Sequence, residues 1–431
     1  MRVSVPGYVP AVLTLPPGPD ADRLSQTVML ARDPLRVLRS LRTRFGLVFT
    51  IRTTNGPIVV VGAAEELVRL TELDPGSARA GEARRRVLPQ ASPRSVFGGD
   101  EEAHRAASAR IHDALTPAAI ARIEPEIAII AARQAAAWPR GRPFKLRVRL
   151  RDVADEVWVR LVLRPREETR VEGLARAARH LLRTPGNPPL PPPADGQGLL
   201  GPATTRLMER RLAPFADLIR AEIGERRSDG GGAGDGDGLL ARFAATDLAP
   251  DAVVEELTIV TAAATEATAS GLTSVLERLA HHPELATQLA ETGAADPVFG
   301  PVVDECLRLR PVAMAAMRRL TRPLSLAGHE LQPGTVVMAP SLLLHRDPAQ
   351  FAEPDTFVPD RFKAGASGPF FPFGGGARAC IGRHLAQAEL RAVVPAVLKA
   401  RRLSPLAREP ERLVERATIL APARGALVTA S

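Results

Sequence analysis

The chain has 431 residues, of which 45% are hydrophobic, and its 57 basic and 48 acidic residues give a net charge of +9. A chain of this length and composition can bury a large core and is globular. The positive charge is almost entirely arginine, and no basic block with interleaved aromatic residues is present, which argues against a nucleic-acid-binding protein.

Cysteine content and the N-terminus bear on the cellular compartment. Cys306 and Cys380 are the only cysteines, which argues against a disulfide scaffold and favours a reducing cytosol. Prolines interrupt the stretch from Met1 to Pro19, so it holds neither the apolar core of a signal peptide nor the roughly 20 apolar residues of a membrane span. We therefore expect a soluble, cytoplasmic protein with no nucleic-acid partner.

The N-terminal part of the chain alternates helical and strand-like patterns. In order, it predicts an extended segment, a helix, two strands and a second helix: Leu15–Pro19, Arg23–Phe45, Leu47–Arg52, Ile58–Val61 and Ala63–Glu72. Asn55-Gly56 lies between the two strands and is typical of a hairpin turn. The Gly-, Pro- and Arg-rich stretch Asp74–Asp100 is predicted to be a long loop, and such loops are usually functional or mobile.

Helical patterns dominate the middle of the chain. They are predicted over Glu101–Trp138 with a break near Pro117, Arg151–Arg164, Glu167–Arg183 and Thr204–Arg227. Between the last two lies the proline-rich loop Pro185–Pro193, and proline makes such a connector stiff and extended. An interdomain linker is the alternative, although no independent domain follows it. Ser228–Gly238 is predicted to be a flexible surface connector.

The longest uninterrupted helical pattern runs from Pro250 to His281 and would span about 48 Å. Its apolar, small-residue face, taken alone, indicates core packing. Further on, Glu305 and Arg308 lie three residues apart, which in isolation is typical of an ordinary pair on a helix surface. Leu324–Leu326 and Val336–Ala339 are predicted to be short strands.

A glycine-rich loop, Phe370–Gly382, passes into a helix just after Cys380. Unpaired N–H groups and the positive end of the helix dipole favour an anion there, so we expect a lowered thiol pKa and a thiolate. The glycines let the backbone pass close to a bulky group, Phe373 offers an apolar wall, and Arg378 suits carboxylates. These features suit a Cys-ligated haem, whereas a small buried core residue is the alternative for a lone cysteine.

The same loop resembles the Phe-x-x-Gly-x-Arg-x-Cys-x-Gly signature of the cytochrome P-450 superfamily. The matching positions are Phe373, Gly376, Arg378, Cys380 and Gly382. The resemblance implies a mainly α-helical fold with small β-sheets (α+β), in which a long central helix lies over a haem, and a single domain over residues 1–431. It also implies haem b as the cofactor and Cys380 as the ligand of its iron.

Two further segments resemble motifs that brace this loop in the family. Glu305 and Arg308 match a Glu-x-x-Arg motif, and Phe357–Phe362 matches Phe-x-Pro-x-Arg-Phe at Arg361. The resemblance implies that these three charges form a buried network supporting the haem loop, in which an orphaned charge costs about 3–5 kcal/mol. The residues that it assigns to the cofactor are His104, Arg318, Phe373, Gly376, Arg378 and Gly382.

Two of these cofactor residues have alternatives. His104 lies on a helix that runs beside the haem in the family, but Ser108 occupies the position where the family often has a propionate-binding arginine. An ordinary exposed helix residue is the alternative for His104, and an exposed arginine is the alternative for Arg318.

The segment Ala263–Thr268 resembles the Ala-Gly-x-Glu/Asp-Thr segment that runs over the haem in the family and handles protons. Glu266 matches the acid, whereas Ala267 replaces the Thr, and Thr268 lies about 100° further round the helix. The resemblance implies catalytic roles for Glu266 and Thr268, with a water or a substrate hydroxyl completing the proton route, or peroxide bypassing it. A structural ion-pair partner is the alternative for Glu266.

By the same resemblance, a substrate pocket and a lid are expected. The pocket residues are Ala263, Ala264, Ala267, Val312, Ala313, Met314 and Ile419, together with residues of Asp74–Asp100. They are small or apolar, and the helix–loop–helix around Pro185–Pro193 would form the lid. We expect a hydrophobic small-molecule substrate, such as a terpenoid, polyketide or fatty-acid-like compound of secondary metabolism.

The implied reaction is the insertion of one oxygen atom from O₂ into this substrate. Electrons would come from a separate ferredoxin with its reductase, or from a flavodoxin-type donor, with Arg383 and Arg391 as candidates for the docking face; a solvated charged face is the alternative. Ala267 motivates a rival function, peroxide-dependent oxidation or internal rearrangement on the same scaffold. Ser108 and Ala267 together motivate a second rival, a haem-bearing sensor or recruitment protein without turnover.

Overall fold

The computed structural model describes residues 15–73, 76–88, 91–181, 201–230, 238–365, 368–416 and 418–431, with the backbone alone for residues 181 and 201–208. The helices in this part of the chain are α1 (Arg23–Arg32), α2 (Pro34–Phe45), α3 (Ala64–Glu72), α4 (Ala80–Arg85), α5 (Glu101–His112), α6 (Pro117–Ala136), α7 (Leu146–Val157), α8 (Glu168–Leu181), α9 (Gly201–Ser228), α10 (Gly238–Ala244), α11 (Pro250–Ala280), α12 (Pro283–Thr292), α13 (Phe299–Leu309), α14 (Ser341–Leu344) and α15 (Arg383–Ala400). The strands are β1 (Val48–Thr53), β2 (Gly56–Val61), β3 (Ala78–Arg79), β4 (Phe144–Lys145), β5 (Ala315–Leu320), β6 (Leu324–Leu326), β7 (His329–Leu331), β8 (Val336–Pro340), β9 (Leu403–Pro405), β10 (Leu413–Arg416), β11 (Ile419–Pro422) and β12 (Leu427–Ala430).

The strands form small sheets at the margins of a helical body. The largest sheet has the order β1-β2-β8-β5-β3, in which β2 and β8 run parallel and the other neighbours run antiparallel. A second sheet has the order β4-β12-β9, and β6–β7 and β10–β11 are two-stranded antiparallel pairs. The predicted class, mainly α with small β-sheets, is confirmed.

Helix α11 runs through the main hydrophobic core and packs against helices α7, α9, α13 and α15 and against strand β11. Its observed length matches the predicted helix Pro250–His281 to within one residue. Leu257, Leu272, Val275 and Leu276 are almost completely buried in this core. The helix therefore forms a fixed scaffold against which the other segments of the site are placed.

The predicted helix over Arg23–Phe45 is wrong in one respect, because it is two helices. Asp33 ends α1, and its side chain accepts a hydrogen bond from the N–H of Arg36 at 3.3 Å. Pro34 then occupies the first turn of α2, where the missing N–H is tolerated. An Asp-Pro pair is a helix start signal, and it outweighed the continuous apolar pattern.

The prediction of a long loop over Asp74–Asp100 also needs correction. Strand β3 and helix α4 lie within this range. The carboxylate of Asp100 accepts hydrogen bonds from the N–H groups of Gly81 at 2.6 Å and Glu82 at 2.8 Å, so it supplies partners for the open N-terminus of α4. Asp100 thereby folds the end of this stretch back onto its beginning.

The hairpin of β1 and β2 is confirmed, with Gly56 at a φ of 102° in the turn. Helix α7 begins at Leu146, earlier than the predicted Arg151, and a π-helical turn, Trp158–Leu163, extends it. The predicted lid loop Pro185–Pro193 lies outside the described residues.

Candidate active site

The loop that carries Cys380 is held by backbone hydrogen bonds and by glycine. The N–H of Cys380 donates to the carbonyl of Phe373 at 2.8 Å, and Gly376–Arg378 forms a 3₁₀ turn. Gly376 has a φ of 62°, and a Cβ at this position would collide with the carbonyl oxygen of Thr71 in α3. A glycine is therefore required where this loop passes against α3.

The side chain of Cys380 lies ahead of the first turn of α15 and is exposed. Gly382 lies beside the sulfur, and a Cβ at this position would be in ordinary van der Waals contact with Sγ at 3.9 Å. The alternative of a small core residue does not describe Cys380, although it does describe Cys306, which is 1% exposed. An accessible sulfur flanked by glycine is suited to bind an external group.

The expected lowering of the Cys380 pKa is wrong. Burial by the surrounding protein raises the pKa of this thiol, and the backbone N–H of Gly382 and the charges of Arg84 and Arg383 offset only part of the effect. The residue is accessible and yet closely surrounded by protein, which is why loss of hydration outweighs the helix terminus. A metal ion on the sulfur would supply the charge that stabilises the thiolate.

Three arginines from separate segments lie close to one another, and the charge of one of them, Arg84, also acts on the Cys380 thiol. Burial, followed by the charge of Arg378, lowers the pKa of Arg84 in α4 to about 10. Burial, followed by the charges of Arg84 and Arg378, lowers the pKa of Arg318 in β5 to about 10. The guanidinium of Arg84 also stacks on the ring of Phe97 at 5.4 Å. We call Arg84, Arg318 and Arg378 the arginine cluster.

Among the described residues, Asp100 is the carboxylate whose charge acts on all three arginines of the cluster. Nη2 of Arg378 donates to Asp100 at 2.7 Å and to the carbonyl of Gly99 at 2.7 Å. Nη1 of Arg378 is buried and has no hydrogen-bond partner in the described part of the chain. The arginine cluster has three guanidinium groups and faces one carboxylate, so it carries an excess of two positive charges. These charges are shielded from water by the surrounding protein.

A group with two carboxylates fits this excess of charge. The two propionates of haem b would bring two negative charges, and the orphaned Nη1 of Arg378 is a donor that is available to them. The accessible sulfur of Cys380 is the donor type that haem iron accepts in thiolate-ligated proteins. The residues present therefore fit haem b.

His104 lies at the edge of the arginine cluster and is half-buried, so the alternative of an ordinary exposed residue does not describe it. Its Nδ1 donates to the carbonyl of Val96 at 2.9 Å, and its Nε2 lies 3.4 Å from the hydroxyl of Ser108. Burial, followed by the charge of Arg378, lowers the pKa of His104, so the ring is neutral at neutral pH. The ring ties the segment before α5 to that helix.

Glu305 and Arg308 form a completely buried ion pair in α13. Nε and Nη2 of Arg308 donate to the two carboxylate oxygens of Glu305 at 2.7 and 2.8 Å, and Nε of Arg361 donates to Glu305 at 3.1 Å. Arg308 also donates to three backbone carbonyls within residues 345–356. The alternative of an ordinary exposed helix pair is therefore wrong, since both side chains are 0% exposed.

His345 connects this ion-pair network to the Cys380 loop. Its backbone carbonyl accepts a hydrogen bond from Arg308, and its Nε2 accepts one from the N–H of Phe371 at 3.1 Å. Burial, followed by the charges of Arg308 and Arg346, lowers the pKa of His345 to about 3, so the ring is neutral and its Nε2 is free to accept. The network thus reaches the loop through one imidazole.

Glu266 lies in α11 between two arginines of α7. Arg147 and Arg151 both pair with its carboxylate. Arg151 also donates to the carbonyl of Ala178 in α8 at 3.3 Å and lies 3.6 Å from the buried carboxylate of Asp155. The alternative weighed for Glu266, an ion-pair partner, describes its contacts, and its role in proton transfer stays a prediction.

The hydroxyl of Thr268 is turned toward α15. It donates to the buried carboxylate of Glu389 at 2.9 Å, and burial raises the pKa of Glu389 to about 8. A catalytic role was expected for Thr268. Instead, α15 packs against this side of α11, and the Thr268 hydroxyl is engaged by Glu389 of that helix. Ala267, the preceding residue, offers no hydroxyl of its own.

Three of the predicted pocket residues, Val312, Ala313 and Ile419, come together from separate segments. Ala313 and Ile419 form an isolated antiparallel bridge, and the N–H of Leu420 donates to the carbonyl of Val312 at 2.8 Å. Val312 also faces α11, since a Cβ at Gly271 would lie 3.5 Å from its Cγ2. The remaining predicted members are buried or half-buried, namely Ala263, Ala264, Ala267 and Met314.

Sequence reasoning did not single out several residues that the structure places at this site. They are Arg84 and Asp100, which lie within the predicted pocket stretch Asp74–Asp100, and Arg147, Arg151 and His345. Arg147 and Arg151 are spaced by four residues, which puts them on one helix face, but the predicted helix began only at Arg151. Arg84 lies in a run of three arginines, and no pattern in that run distinguishes the one that faces Cys380.

The family model described as Cytochrome P450 matches residues 16–430 of the chain. The chain belongs to the cytochrome P450 family. Among its relatives is cytochrome P450 135B1 of Mycobacterium tuberculosis, which is 30% identical over 430 residues that cover 96% of this chain and 91% of that protein.

Solved cytochrome P450 structures have the same fold. The retinoic-acid-bound cyanobacterial CYP120A1 superimposes with a TM-score of 0.79 at 19% identity, covering 97% of this chain and 99% of that one. A mutant of P450 EryK in complex with erythromycin B superimposes with a TM-score of 0.70 at 24% identity, covering 96% of this chain and 98% of that one. At these identities the likeness establishes the fold alone.

Membership of the cytochrome P450 family settles the general chemistry. The cofactor is haem b, and the protein is a haem-thiolate oxidoreductase of the monooxygenase type, which acts on a small molecule with electrons from a redox partner. Across the described residues, no helix is both long and apolar enough to cross a membrane. Arg391, one of the two arginines predicted to dock the partner, is paired with Glu124 of α6 at 2.8 Å.

Proposed function

We propose that this cytochrome P450 inserts one oxygen atom from O₂ into a hydrophobic small molecule. The observation that carries the proposal is the accessible sulfur of Cys380 beside the buried arginine cluster. An exposed cysteine next to an excess of desolvated positive charge suits a thiolate-ligated group with two carboxylates. We also propose that residues 1–431 form one domain with this site.

The chain would hold haem b at both its iron and its edge. Haem b, when bound, supplies the iron at which dioxygen is reduced and its O–O bond is cleaved. Cys380 would donate thiolate electron density to it, and Arg84, Arg318 and Arg378 would neutralise the propionates. Phe373 would cover an apolar face of the loop, and Gly376 and Gly382 would keep the backbone close.

Glu266 is the proposed proton-handling residue. Arg147 and Arg151 hold its carboxylate at the middle of α11. Ala267 has no hydroxyl, and the hydroxyl of Thr268 is occupied by Glu389 at 2.9 Å. A water or a hydroxyl of the substrate is therefore needed to complete the proton route to Glu266.

The substrate is proposed to be a terpenoid, a polyketide or a fatty-acid-like compound of secondary metabolism. The support is the small and apolar character of Val312, Ala313 and Ile419, which lie together opposite α11. Burial of apolar substrate surface, at about 25 cal/mol per Å², would then supply most of the affinity.

We propose a ferredoxin or a flavodoxin-type protein of the cytoplasm as the electron donor. Arg383 is exposed at the start of α15, three residues beyond Cys380, and contributes positive charge near the sulfur. A positive face at this position would attract an acidic donor, and the attraction would weaken as salt is added.

One observation favours a second candidate function. Ala267 leaves the middle of α11 without the hydroxyl that would assist dioxygen cleavage, whereas peroxide already carries two protons. The rival is therefore peroxide-dependent oxidation or rearrangement at the same site.

The test is turnover of the haem-loaded protein with isotopically labelled O₂ and a ferredoxin–reductase pair. The proposal predicts one labelled oxygen atom in each product molecule. Substantial product with hydrogen peroxide alone, and none with O₂ and the reductase, would overturn it in favour of the peroxide route.

A further inference from the structure

Two carboxylates lie next to the guanidinium of Arg151. One belongs to Glu266 of α11, whose Oε1 pairs with Nη1 of Arg151 and whose Oε2 pairs with Arg147. The other belongs to Asp155, which follows Arg151 by four residues and therefore lies on the same face of α7. Its carboxylate is 3.6 Å from Nε of Arg151, and its side chain is 0% exposed. One guanidinium is thus adjacent to the proposed proton-handling carboxylate and to a second, completely buried one.

Asp155 and Arg151 each have an unused hydrogen-bonding group at this point. Within the described residues, both carboxylate oxygens of Asp155 and Nε of Arg151 are buried and make no hydrogen bond of normal geometry. Such a bond is about 2.9 Å long, so a shift of about 0.7 Å would form it. The buried hydroxyl of Thr265, beside Asp155 in α11, also lacks such a bond in the part of the chain described. Buried polar groups are normally hydrogen-bonded, and these groups can become partners of one another.

The guanidinium of Arg151 is the part of this arrangement that can change partner. The backbones of α7 and α11 are fixed by close packing, and Nε1 of Trp158, in the π-helical turn after α7, donates to the hydroxyl of Thr261 in α11 at 2.9 Å. Arg151 is held in its present place by Glu266 and by the carbonyl of Ala178, to which its Nη2 donates at 3.3 Å. A rotation of the side chain alone therefore brings Nε to Asp155.

The protonation state of Asp155 decides whether it competes for Arg151. Burial raises the pKa of Asp155 to about 7, and the charge of Arg151 and the hydroxyl of Thr265 offset only part of this effect. The charge of Glu266 also raises this pKa, whereas the charge of Arg179 in α8 lowers it. Asp155 therefore gains or loses its charge near neutral pH, and only its ionised form attracts the guanidinium.

The two oxygens of Glu266 differ in what holds them. Oε2 pairs with Arg147, and the guanidinium of Arg416 in β10 lies near both of these residues. Nη2 of Arg416 donates to the carbonyl of Ala423 at 3.1 Å. Arg151 pairs with Oε1. If Arg151 turns away, Glu266 keeps its place through Arg147, while Oε1 is free to take up a proton and pass it on.

We propose that Asp155 is a positioning residue for Glu266, which it controls by competing for Arg151. When Asp155 is ionised, Nε of Arg151 turns to it, and Oε1 of Glu266 is released for proton transfer. When Asp155 is protonated, Arg151 stays with Glu266, and that oxygen is blocked. This inference rests on the proposed role of Glu266 in proton transfer and adds a control of that role by pH.

Infrared spectroscopy of the haem-loaded protein between about pH 6 and 8 tests the exchange of partners without turnover. Bands lost in Asp155→Asn belong to Asp155, and bands lost in Glu266→Gln belong to Glu266. We expect the protonated-carboxyl band of Asp155 to titrate near pH 7 and the carboxylate band of Glu266 to shift with the same midpoint. In Asp155→Asn the Glu266 band should no longer shift, whereas Asp152→Asn, in the preceding turn of α7, should leave the shift unchanged.

A second measurement follows proton delivery without a known substrate. A ferredoxin–reductase pair drives the reduction of O₂ by the haem-loaded protein, and the fraction of consumed O₂ that is released as hydrogen peroxide is measured. Peroxide is released when the O–O bond is not cleaved, and cleavage requires a proton. In the wild-type protein this fraction should fall by about twofold or more as the pH rises through about 7. It should stay high at every pH in Asp155→Asn and fall again in Asp155→Glu, which restores a carboxylate.

The proposal is overturned if the wild-type Glu266 band and peroxide fraction do not change through pH 7, if either change persists in Asp155→Asn, or if Asp152→Asn abolishes it equally. The wild-type titration is decisive even if Asp155→Asn does not fold. Failure of this inference is distinguishable from failure of the proposed oxygen insertion, because the infrared measurement needs no turnover and oxygen insertion is measured as label in the product.

Discussion

His345 accepts the backbone N–H of Phe371 at 3.1 Å, and its own carbonyl accepts a hydrogen bond from Arg308. One neutral, fully buried imidazole thus joins the ion-pair network of α13 to the loop that ends in Cys380. The Cys380 loop is thereby attached to the most deeply buried charges near the site.

Replacing this imidazole should loosen the loop. His345→Phe keeps an aromatic ring but leaves the N–H of Phe371 without an acceptor, so we expect the free energy of unfolding to fall by about 1–3 kcal/mol. Urea unfolding measures the change. His112→Phe, at an exposed position, is the matched control and should change stability by less than about 0.5 kcal/mol. Equal effects of the two substitutions would contradict the role of His345.

The same residue predicts a pH dependence of stability. Because the pKa of His345 is lowered from 6.5 to about 3, the unfolded state binds the proton more tightly than the folded state does. Its contribution to stability is present above pH 6.5 and is lost as the pH falls toward about 3. Unfolding measured across this range should show a shallower decline for His345→Phe than for the wild-type protein, and parallel declines would refute the assignment.

Arg84 should help to retain the cofactor. Removing one charged donor to a propionate costs about 1.5–3 kcal/mol, so Arg84→Gln should speed the transfer of haem to apomyoglobin by about tenfold or more. Arg94→Gln removes an exposed arginine from the same stretch and should leave the rate unchanged. If both variants lose haem at the wild-type rate, Arg84 does not contact the cofactor.

Substitutions of Glu266 and Thr268 should have different effects on turnover. Glu266→Gln removes the proposed proton-handling carboxylate, and we expect kcat to fall by about 100-fold. Thr268→Val removes a hydroxyl that serves Glu389, so product formed per electron should stay within about twofold of wild type while stability falls by about 1 kcal/mol. A large loss of coupling in Thr268→Val, with Glu266→Gln unaffected, would reverse the two roles.

Glu389 predicts the opposite pH dependence to His345. Burial raises its pKa from 4.5 to about 8, so the folded state holds the proton more tightly than the unfolded state. The stability that it contributes is present below pH 4.5 and is lost as the pH rises through about 8. We compare the free energy of unfolding of each variant with that of the wild-type protein. As the pH rises from acidic to alkaline, this difference should shift in favour of Glu389→Gln by on the order of a few kcal/mol, and it should stay constant for the exposed Glu126→Gln.

The long helix α11 and the β1–β2 hairpin could be predicted because each depends on a local pattern, whereas the fold class was predicted from the resemblance of the Cys380 loop to the cytochrome P-450 signature. Residues Pro250–Ala280 carry an uninterrupted helical pattern, and Asn55-Gly56 specifies its own turn. The boundary at Asp33-Pro34 was missed, since the apolar pattern continues through it. The residues of the Cys380 loop were found because a dense motif marks them.

The partners of these residues were harder to predict, because they come from distant positions. Arg84 and Arg378 are almost 300 positions apart and meet only after the loop packs against α3 and α4. The contacts of Glu266 with α7 depend on where that helix starts, and the contact of Thr268 with Glu389 depends on how α15 packs. The direction of the Cys380 pKa was wrong because the helix terminus is a local feature, whereas loss of hydration is set by the whole fold.

The carbonyl complex of the reduced protein tests the central claim most directly. Haem-loaded wild-type protein should show the red-shifted Soret band of a thiolate-ligated ferrous carbonyl complex, and Cys380→Ser should lose that band, while Cys306→Ser keeps it. A thiolate-type band that survives in Cys380→Ser, or purified protein that binds no haem, would contradict the assignment of Cys380 as the ligand of the iron.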